Sequence, residues 1–225
     1  MLKCQFHCHT AGDGADNIPH TPKQLINEAH KLSYNVVSIT CHRKVVFSKQ
    51  LKQYALKKGI LLIPGCEFEI NKKHILGINI TKEIEKVDTF EKLKNYKKKN
   101  KKCFIIAPHP YFPGKTTLQG DLESNIDLFD AIEISFCYTK SKNYNKKAIE
   151  IAQKYNKPLI ATADCHDLKE LNNGYTLINS PLNTENIFDA IKKQKTKNIH
   201  TPKSYLHISN FIIRQGIRNL FKRKS

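Results

Sequence analysis

The chain has 225 residues, enough for one well-cored domain and short for two, and a hydrophobic content of 40% fits a packed globule rather than a disordered chain. Its formal charge of +18 comes overwhelmingly from lysine, with arginine only at 43, 214, 218 and 223. Such a surface attracts polyanions, yet the lysines are scattered along helical stretches and read for the most part as compositional bias. Seven cysteines with no CxxC pair argue against a disulfide framework and read as reduced thiols. No run approaches the roughly 18 apolar residues of a membrane span, and no secretory leader is visible, so a cytoplasmic location is expected.

In chain order, apolar runs predict strands at 2–7, 36–41, 60–66, 74–80, 103–108, 130–136, 159–163 and 175–179. Thr21-Pro22 supplies an N-cap and a first-turn proline for a helix that places Leu25, Ile26, Ala29 and Leu32 on one face. Further helices are predicted over about 48–58, 89–100, 143–156 and 184–194. Alternation of this kind argues for a mainly parallel sheet or barrel. The break comes at 67–80, where EFEINKKHILGINI reads as a hairpin turning at Asn71-Lys72-Lys73. Residues 1–200 are expected to form one domain and 201–225 a basic amphipathic tail carrying Ile208, Phe211, Ile212, Leu220 and Phe221 among its cations. The tail either contacts an anionic surface, lipid or nucleic acid, or packs its apolar face on the domain. Packing is the preferred reading, and Gly216 weakens a continuous helix.

The chemistry-bearing residues gather at strand ends. His7 and His9 flank Cys8, and on a strand residues two apart face the same way, so both imidazoles form a clamp for a metal while Cys8 points oppositely. Asp13, in the following glycine-containing loop, can fold back onto that clamp; Asp16 is a rival, and either also suits an ordinary turn. His42 ends VVSIT-C, and Glu67 ends ILLIPGC, where a carboxylate must be solvated, paired or metal-bound. Glu69 faces the same side as Glu67, and His74 opens the returning strand opposite. His109 is stiffened between Pro108 and Pro110, and Asp164 with His166 repeats the two-apart spacing. Each residue alone has a structural alternative; together they read as a site for several divalent metals and point to a hydrolase. Cys8, Cys41, Cys66 and Cys165 are expected to be buried fillers, and His20, His30, His200 and His207 ordinary loop or helix residues.

The motifs FHCHT, ITCH, GCEFE, HILG, APHP and ADCHD, in that order over nearly residues 1–195, resemble the PHP (polymerase and histidinol phosphatase) family. That resemblance implies a distorted (β/α)₇ barrel binding three divalent ions, manganese, zinc or iron. It implies as ligands His7, His9, the loop aspartate (Asp13, with Asp16 as rival), His42, Glu67, His74, His109, Asp164 and His166, with Glu67 bridging two ions. Two departures stand out: Asp13 falls one place early in the loop, and Cys41 occupies the position of the customary aspartate before His42.

The implied activity is hydrolysis of a phosphate ester by a metal-bridged hydroxide at a trinuclear site. Glu67, His109 and His166 would hold the ions and Arg43 or Lys115 would grip the phosphate. Expected substrates are a phosphorylated small molecule, a nucleotide or a nucleic-acid end. Two alternatives compete: a nuclease trimming nucleic-acid ends, its polymer held by the basic tail, and a noncatalytic metal-binding regulatory module. A membrane adaptor driven by the tail is a weaker fourth reading.

Overall fold

In the computed structural model, which describes residues 1–210 and 213, nine strands form one sheet. The chain runs β1 (Leu2–Gln5), α1 (Pro22–Lys31), β2 (Val36–Ile39), α2 (Lys49–Lys57), β3 (Leu61–Ile70), β4 (Lys73–Ile78), α3 (Phe90–Lys99) and β5 (Phe104–Ala107). It continues through α4 (Gly120–Ser124), β6 (Ala131–Ser135), α5 (Asn145–Lys154), β7 (Leu159–Thr162), β8 (Gly174–Ile178), α6 (Thr184–Lys192) and β9 (Thr196–His200). The strand order is β7-β6-β5-β4-β3-β2-β1-β8-β9. Strands β1 to β7 form a distorted (β/α)₇ barrel that closes through β8 and β9.

The start of α1 is dictated locally. Thr21 Oγ1 accepts from Gln24 N at 3.3 Å while Gln24 Oε1 accepts from Thr21 N at 2.8 Å, a reciprocal capping box, and Pro22 occupies the first turn. Leu25, Ile26 and Ala29 are its buried face. They pack with Leu51 and Ala55 of α2 against the outer side of the barrel wall.

The sheet is less parallel than the alternation predicts. β1/β2, β2/β3, β5/β6 and β6/β7 pair parallel, but β4 runs antiparallel to both β3 and β5, and β8 antiparallel to β1. The hairpin turns on two residues: Asn71 and Lys72 have φ of 51° and 65°, while Lys73 already belongs to β4. Two successive positive φ values are the requirement of the tight hairpin turn that matches strand twist. β9 is unannounced in the sequence because TKNIH lacks an apolar alternation; it pairs antiparallel along β8 at the sheet edge.

Closure of the barrel is made in two ways. Along its lower part β7 meets β8 and β9 through side chains: Thr176 Oγ1 donates to Ala161 O at 2.9 Å, and Asn198 Nδ2 donates to Leu159 O at 3.0 Å. At the upper rim the backbones pair directly, His9 N donating to Cys165 O at 2.9 Å and Cys165 N to His7 O at 3.1 Å. The first and last metal-ligand candidates are thereby stitched together.

The interior is layered. Val36, Ile63, Leu76, Ile78, Phe104, Ile106, Ala131 and Ile160 pack with Phe188, Ile187 and Ile191 of α6, which plugs one end; Phe104 and Phe188 stack at 4.6 Å. Following the same strand faces two residues at a time toward the other end replaces these apolar groups with His42, Glu67, His74, Glu133 and Asp164. β1 departs from this pattern. Phe6 packs in the interior cluster and His7 contacts Glu67, so the alternation slips by one residue between them. Among the described residues no helix is long and apolar enough to cross a membrane. Phe211, Ile212, Leu220 and Phe221, on which the amphipathic reading of the tail rests, lie outside the described residues.

Candidate metal centre

Eight imidazole and carboxylate side chains from distant parts of the chain converge on the upper rim. Glu67, buried at the centre, directs its two oxygens to different neighbours. Oε2 lies 3.2 Å from His7 Nε2, 3.4 Å from His9 Nε2 and 3.1 Å from His42 Nε2. Oε1 lies 3.0 Å from His74 Nδ1 and 3.5 Å from His109 Nε2. Asp164 Oδ1 is 3.2 Å from His7 Nε2 and 3.3 Å from His9 Nε2, and 3.4 Å from His166 Nδ1. The rings crowd accordingly, His9 stacking on His42 at 4.5 Å and on His166 at 4.2 Å.

Behind this layer stand carboxylates that fix the rings. His7 Nδ1 donates to Glu133 Oε2 at 2.8 Å, His9 Nδ1 to Asp13 Oδ2 at 2.9 Å, and His42 Nδ1 to Asp13 Oδ1 at 3.0 Å. A proton held on Nδ1 leaves the Nε2 lone pair of each ring aimed into the cluster. Asp13 is itself locked by the backbone N–H groups of Ala15, Asp16 and His42, at 2.8, 2.9 and 2.8 Å. The loop that carries it closes tightly over the His42 carbonyl: a Cβ on Gly14 would fall 2.2 Å from that oxygen, so only glycine fits.

Asp16 takes a different position, with Oδ2 2.9 Å from His166 Nε2 and 3.8 Å from His42 Nδ1. His20, read from the sequence as an ordinary loop residue, is buried and donates from Nε2 to the His9 carbonyl at 2.8 Å. Glu133 was not singled out by the sequence reading. Its signal is present in DAIEIS, a carboxylate inside an apolar strand, which demands a partner.

Burial opposes charge throughout, and the outcome differs from ring to ring. Asp164, Glu67 and Glu133 overcome burial and raise the His7 pKa well above the ordinary imidazole value. Glu67 and Asp13 do the same for His42, and Asp164 and Asp16 raise His166. His9 goes the other way: burial and the neighbouring His166 and His42 lower it. Burial also opposes ionisation of Glu67, but His74, His7 and His42 hold its carboxyl well below the usual range.

Two buried atoms at the centre, His9 Nε2 and Glu67 Oε1, have close ionic neighbours but no well-aligned hydrogen bond among the described residues. A buried acceptor left unmatched costs about 1–3 kcal/mol. Divalent cations would satisfy both, and the nitrogen and oxygen donors are those that zinc, manganese and iron accept. Groups close enough to share one ion are His9, His42 and His166; His7, His109 and Asp164; His7, His9 and Glu67; His42, Glu67 and His74; and Asp13, Asp16 and His42. The donor set fits such ions.

Above the centre lies a cavity of about 270 Å³ walled by His42, His74, His109, Phe112, Pro113 and Thr116, among others. Neither Arg43 nor Lys115 is among its walls. Arg43, with φ of 54°, is exposed and bonded through one nitrogen to both Glu69 oxygens at 2.6 Å. Lys115 is exposed in the loop beside Thr116. Cys8, Cys41 and Cys165 pack outward against α1 and α2, and Cys66 against Phe68 and Ile70, so the thiols stand apart from the cluster. Burial raises the Cys41 thiol to about 12.

The family model described as PHP-associated matches residues 142–196. Two uncharacterized proteins of Methanocaldococcus jannaschii are similar in sequence. MJ1587 is 27% identical over 161 residues, 66% of this chain and 90% of its own length. MJ0417 is 26% identical over 200 residues, 86% of this chain and 77% of its own length. Among solved structures, a Bacteroides vulgatus two-domain protein described as containing a predicted PHP-like metal-dependent phosphoesterase superposes with a TM-score of 0.70 at 22% identity. That match covers 88% of this chain but 64% of the other, so this chain spans less than two thirds of that relative. The lesion-specific endonuclease PfuEndoQ of Pyrococcus furiosus gives a TM-score of 0.65 at 17% identity, over 88% of this chain and 57% of that one. At these identities the structural likeness shows the fold. Together with the family-model match over residues 142–196, it shows that this chain is similar in fold to PHP-like proteins.

Proposed function

We propose that the protein is a metal-dependent phosphoesterase whose centre holds up to three divalent cations. The observation that carries this reading is Glu67, whose two oxygens face separate sets of imidazoles, the arrangement of a carboxylate shared between ions. His7, His9, His42, His74, His109, Asp164 and His166 would complete the ligand set. Asp16, facing His166, is the better candidate for the loop ligand, because both oxygens of Asp13 are spent on His9, His42 and three backbone N–H groups. Asp13 and Glu133 would then orient the rings and raise their basicity.

Cations bound there acidify a water and neutralise charge building on phosphoryl oxygens. The chain supplies the rest. Glu67, His109 and His166 would hold the reacting region in place, and Phe112, Pro113, Thr116 and Ser135 are among the residues lining the cavity beside them. Arg43 and Lys115, outside the cavity walls, would steer an incoming anion by long-range attraction. The test is phosphate release from a panel of phosphomonoesters by manganese-loaded protein, with His9→Ala losing activity and bound metal together. Full activity in metal-stripped protein would contradict the reading.

The charge of +18 favours a second reading, in which the same centre cleaves nucleic-acid ends. Stepwise loss of nucleotides from end-labelled oligonucleotides would select it. For the whole molecule we propose a single catalytic domain over residues 1–200 followed by a basic tail.

A further inference from the structure

The cavity over Glu67 does not end at Phe112. A second groove of about 390 Å³ opens beside it and shares Phe112, Pro113 and Cys137 as a common wall. Its far side is built by Lys142 and Tyr144, between β6 and α5, and by Tyr205 from the segment after β9. That segment is brought back across the barrel mouth by Lys203 N donating to Tyr138 O at 2.7 Å and by the Tyr205 and Ser141 hydroxyls, 2.5 Å apart.

The rings of this groove are unusually accessible for aromatic side chains in a packed domain. Tyr144 is 40% exposed and Tyr205 58% exposed. Phe112 and Tyr144 lie 5.3 Å apart and are tilted by 57°, so they do not stack face to face on each other. Exposed rings beside a phosphate-binding site, with a lysine at the edge, make a stacking platform.

We propose that this groove is the leaving-group subsite and takes the nucleobase of a nucleotide ester. The proposal rests on the phosphoesterase reading and narrows it. The phosphate sits on the His–Glu–Asp cluster, the ester oxygen passes Phe112 and Pro113, and the base lies against Tyr144 and Tyr205. Stacking needs a flat face and is indifferent to the base's hydrogen-bonding edge, so recognition is of nucleotides as a class. The volume suits one such group rather than a polymer, within the range of small-molecule pockets. The C-terminal segment is thereby part of the specificity apparatus.

The experiment compares two esters that differ only in the base, adenosine 5′-monophosphate and ribose 5-phosphate, using the manganese-loaded full chain. The wild type is expected to prefer the nucleotide in kcat/KM by about ten-fold or more, as the loss of a stacked ring implies. Tyr144→Ala should lower that preference about ten-fold, and Tyr144→Phe, which keeps the ring, should retain it. Leu206→Ala, at an exposed position outside the groove, should leave the preference at its wild-type value. A wild-type preference near one, or one unmoved by Tyr144→Ala, overturns the subsite while leaving the phosphoesterase reading intact. Phosphate release from neither ester counts against that reading instead. Binding of adenosine alone then decides the groove: affinity weakened about ten-fold in Tyr144→Ala supports it, and no adenosine binding overturns it.

Discussion

The two sides of the centre are built to different standards. On the side of β1 and β2, His7, His9 and His42 are buried, and each has a carboxylate 2.8 to 3.0 Å behind its Nδ1. On the side of β4 and β5, His74 and His109 are partly open to solvent. The second nitrogen of His74 faces Glu69 at 3.9 Å, beyond hydrogen-bond reach. His109 is aimed instead by backbone, with φ of 29° between two prolines. The difference teaches that the closed side is preorganised, while His74 and His109 on the open side wall the cavity together with His42.

The comparison breaks most severely if the closed side loses a ring. His9→Ala should abolish hydrolysis and lower bound metal, while circular dichroism stays native; activity with a full metal complement would refute the role given to His9. Removing a carboxylate from behind a ring should cost less. Glu133→Gln is expected to reduce metal affinity or kcat/KM by about 10–100-fold, and Asp13→Asn by more, because one aspartate serves two histidines. Metal titration of the two variants would sharpen the ranking, and equal, negligible effects would erase the distinction between the two sides.

A third test concerns stability. Glu170 packs near His166, and burial raises its carboxyl from its ordinary 4.5 to about 7. A raised carboxyl favours the folded state while protonated, so that contribution is fully present below about pH 4.5 and is lost as pH climbs through about 7. The loss is roughly 3 kcal/mol at most, at 1.36 kcal/mol per unit. Chemical denaturation of Glu170→Gln should show a variant more stable than wild type at pH 8, with the gap closing toward pH 4. A gap that is constant with pH would contradict the buried-carboxyl account. The smallest effect is expected at Arg43. Its pair with Glu69 is exposed on the arginine side, so Arg43→Ala should change stability by less than about 1 kcal/mol and reduce kcat/KM mainly at low salt.

Much of this site was legible because its residues end strands. His42, Glu67, His74 and Asp164 follow from period-two alternation once the strands are placed, and the hairpin that brings His74 opposite Glu69 is visible in NKK. What was hidden depends on register between distant segments. The two-apart spacing singles out His7 and His9, but the slip after Phe6 that turns them toward the centre is announced by no periodicity. Asp13 and Asp16 are indistinguishable as sequence, and only the backbone N–H groups that lock Asp13 separate their positions. Glu133 sits mid-strand rather than at an end, so a search of strand ends passes it by. Arg43 and Lys115, expected from the sequence to grip a phosphate, are not among the residues lining the cavity, and Arg43 pairs with Glu69.

The most direct measurement is anomalous X-ray diffraction from crystals of the manganese- or zinc-loaded protein. The account predicts two or three peaks inside the ring of His7, His9, His42, His74, His109 and His166, with Glu67 touching two of them. Peaks only at surface sites, with that ring still collapsed on its own hydrogen bonds, would contradict it.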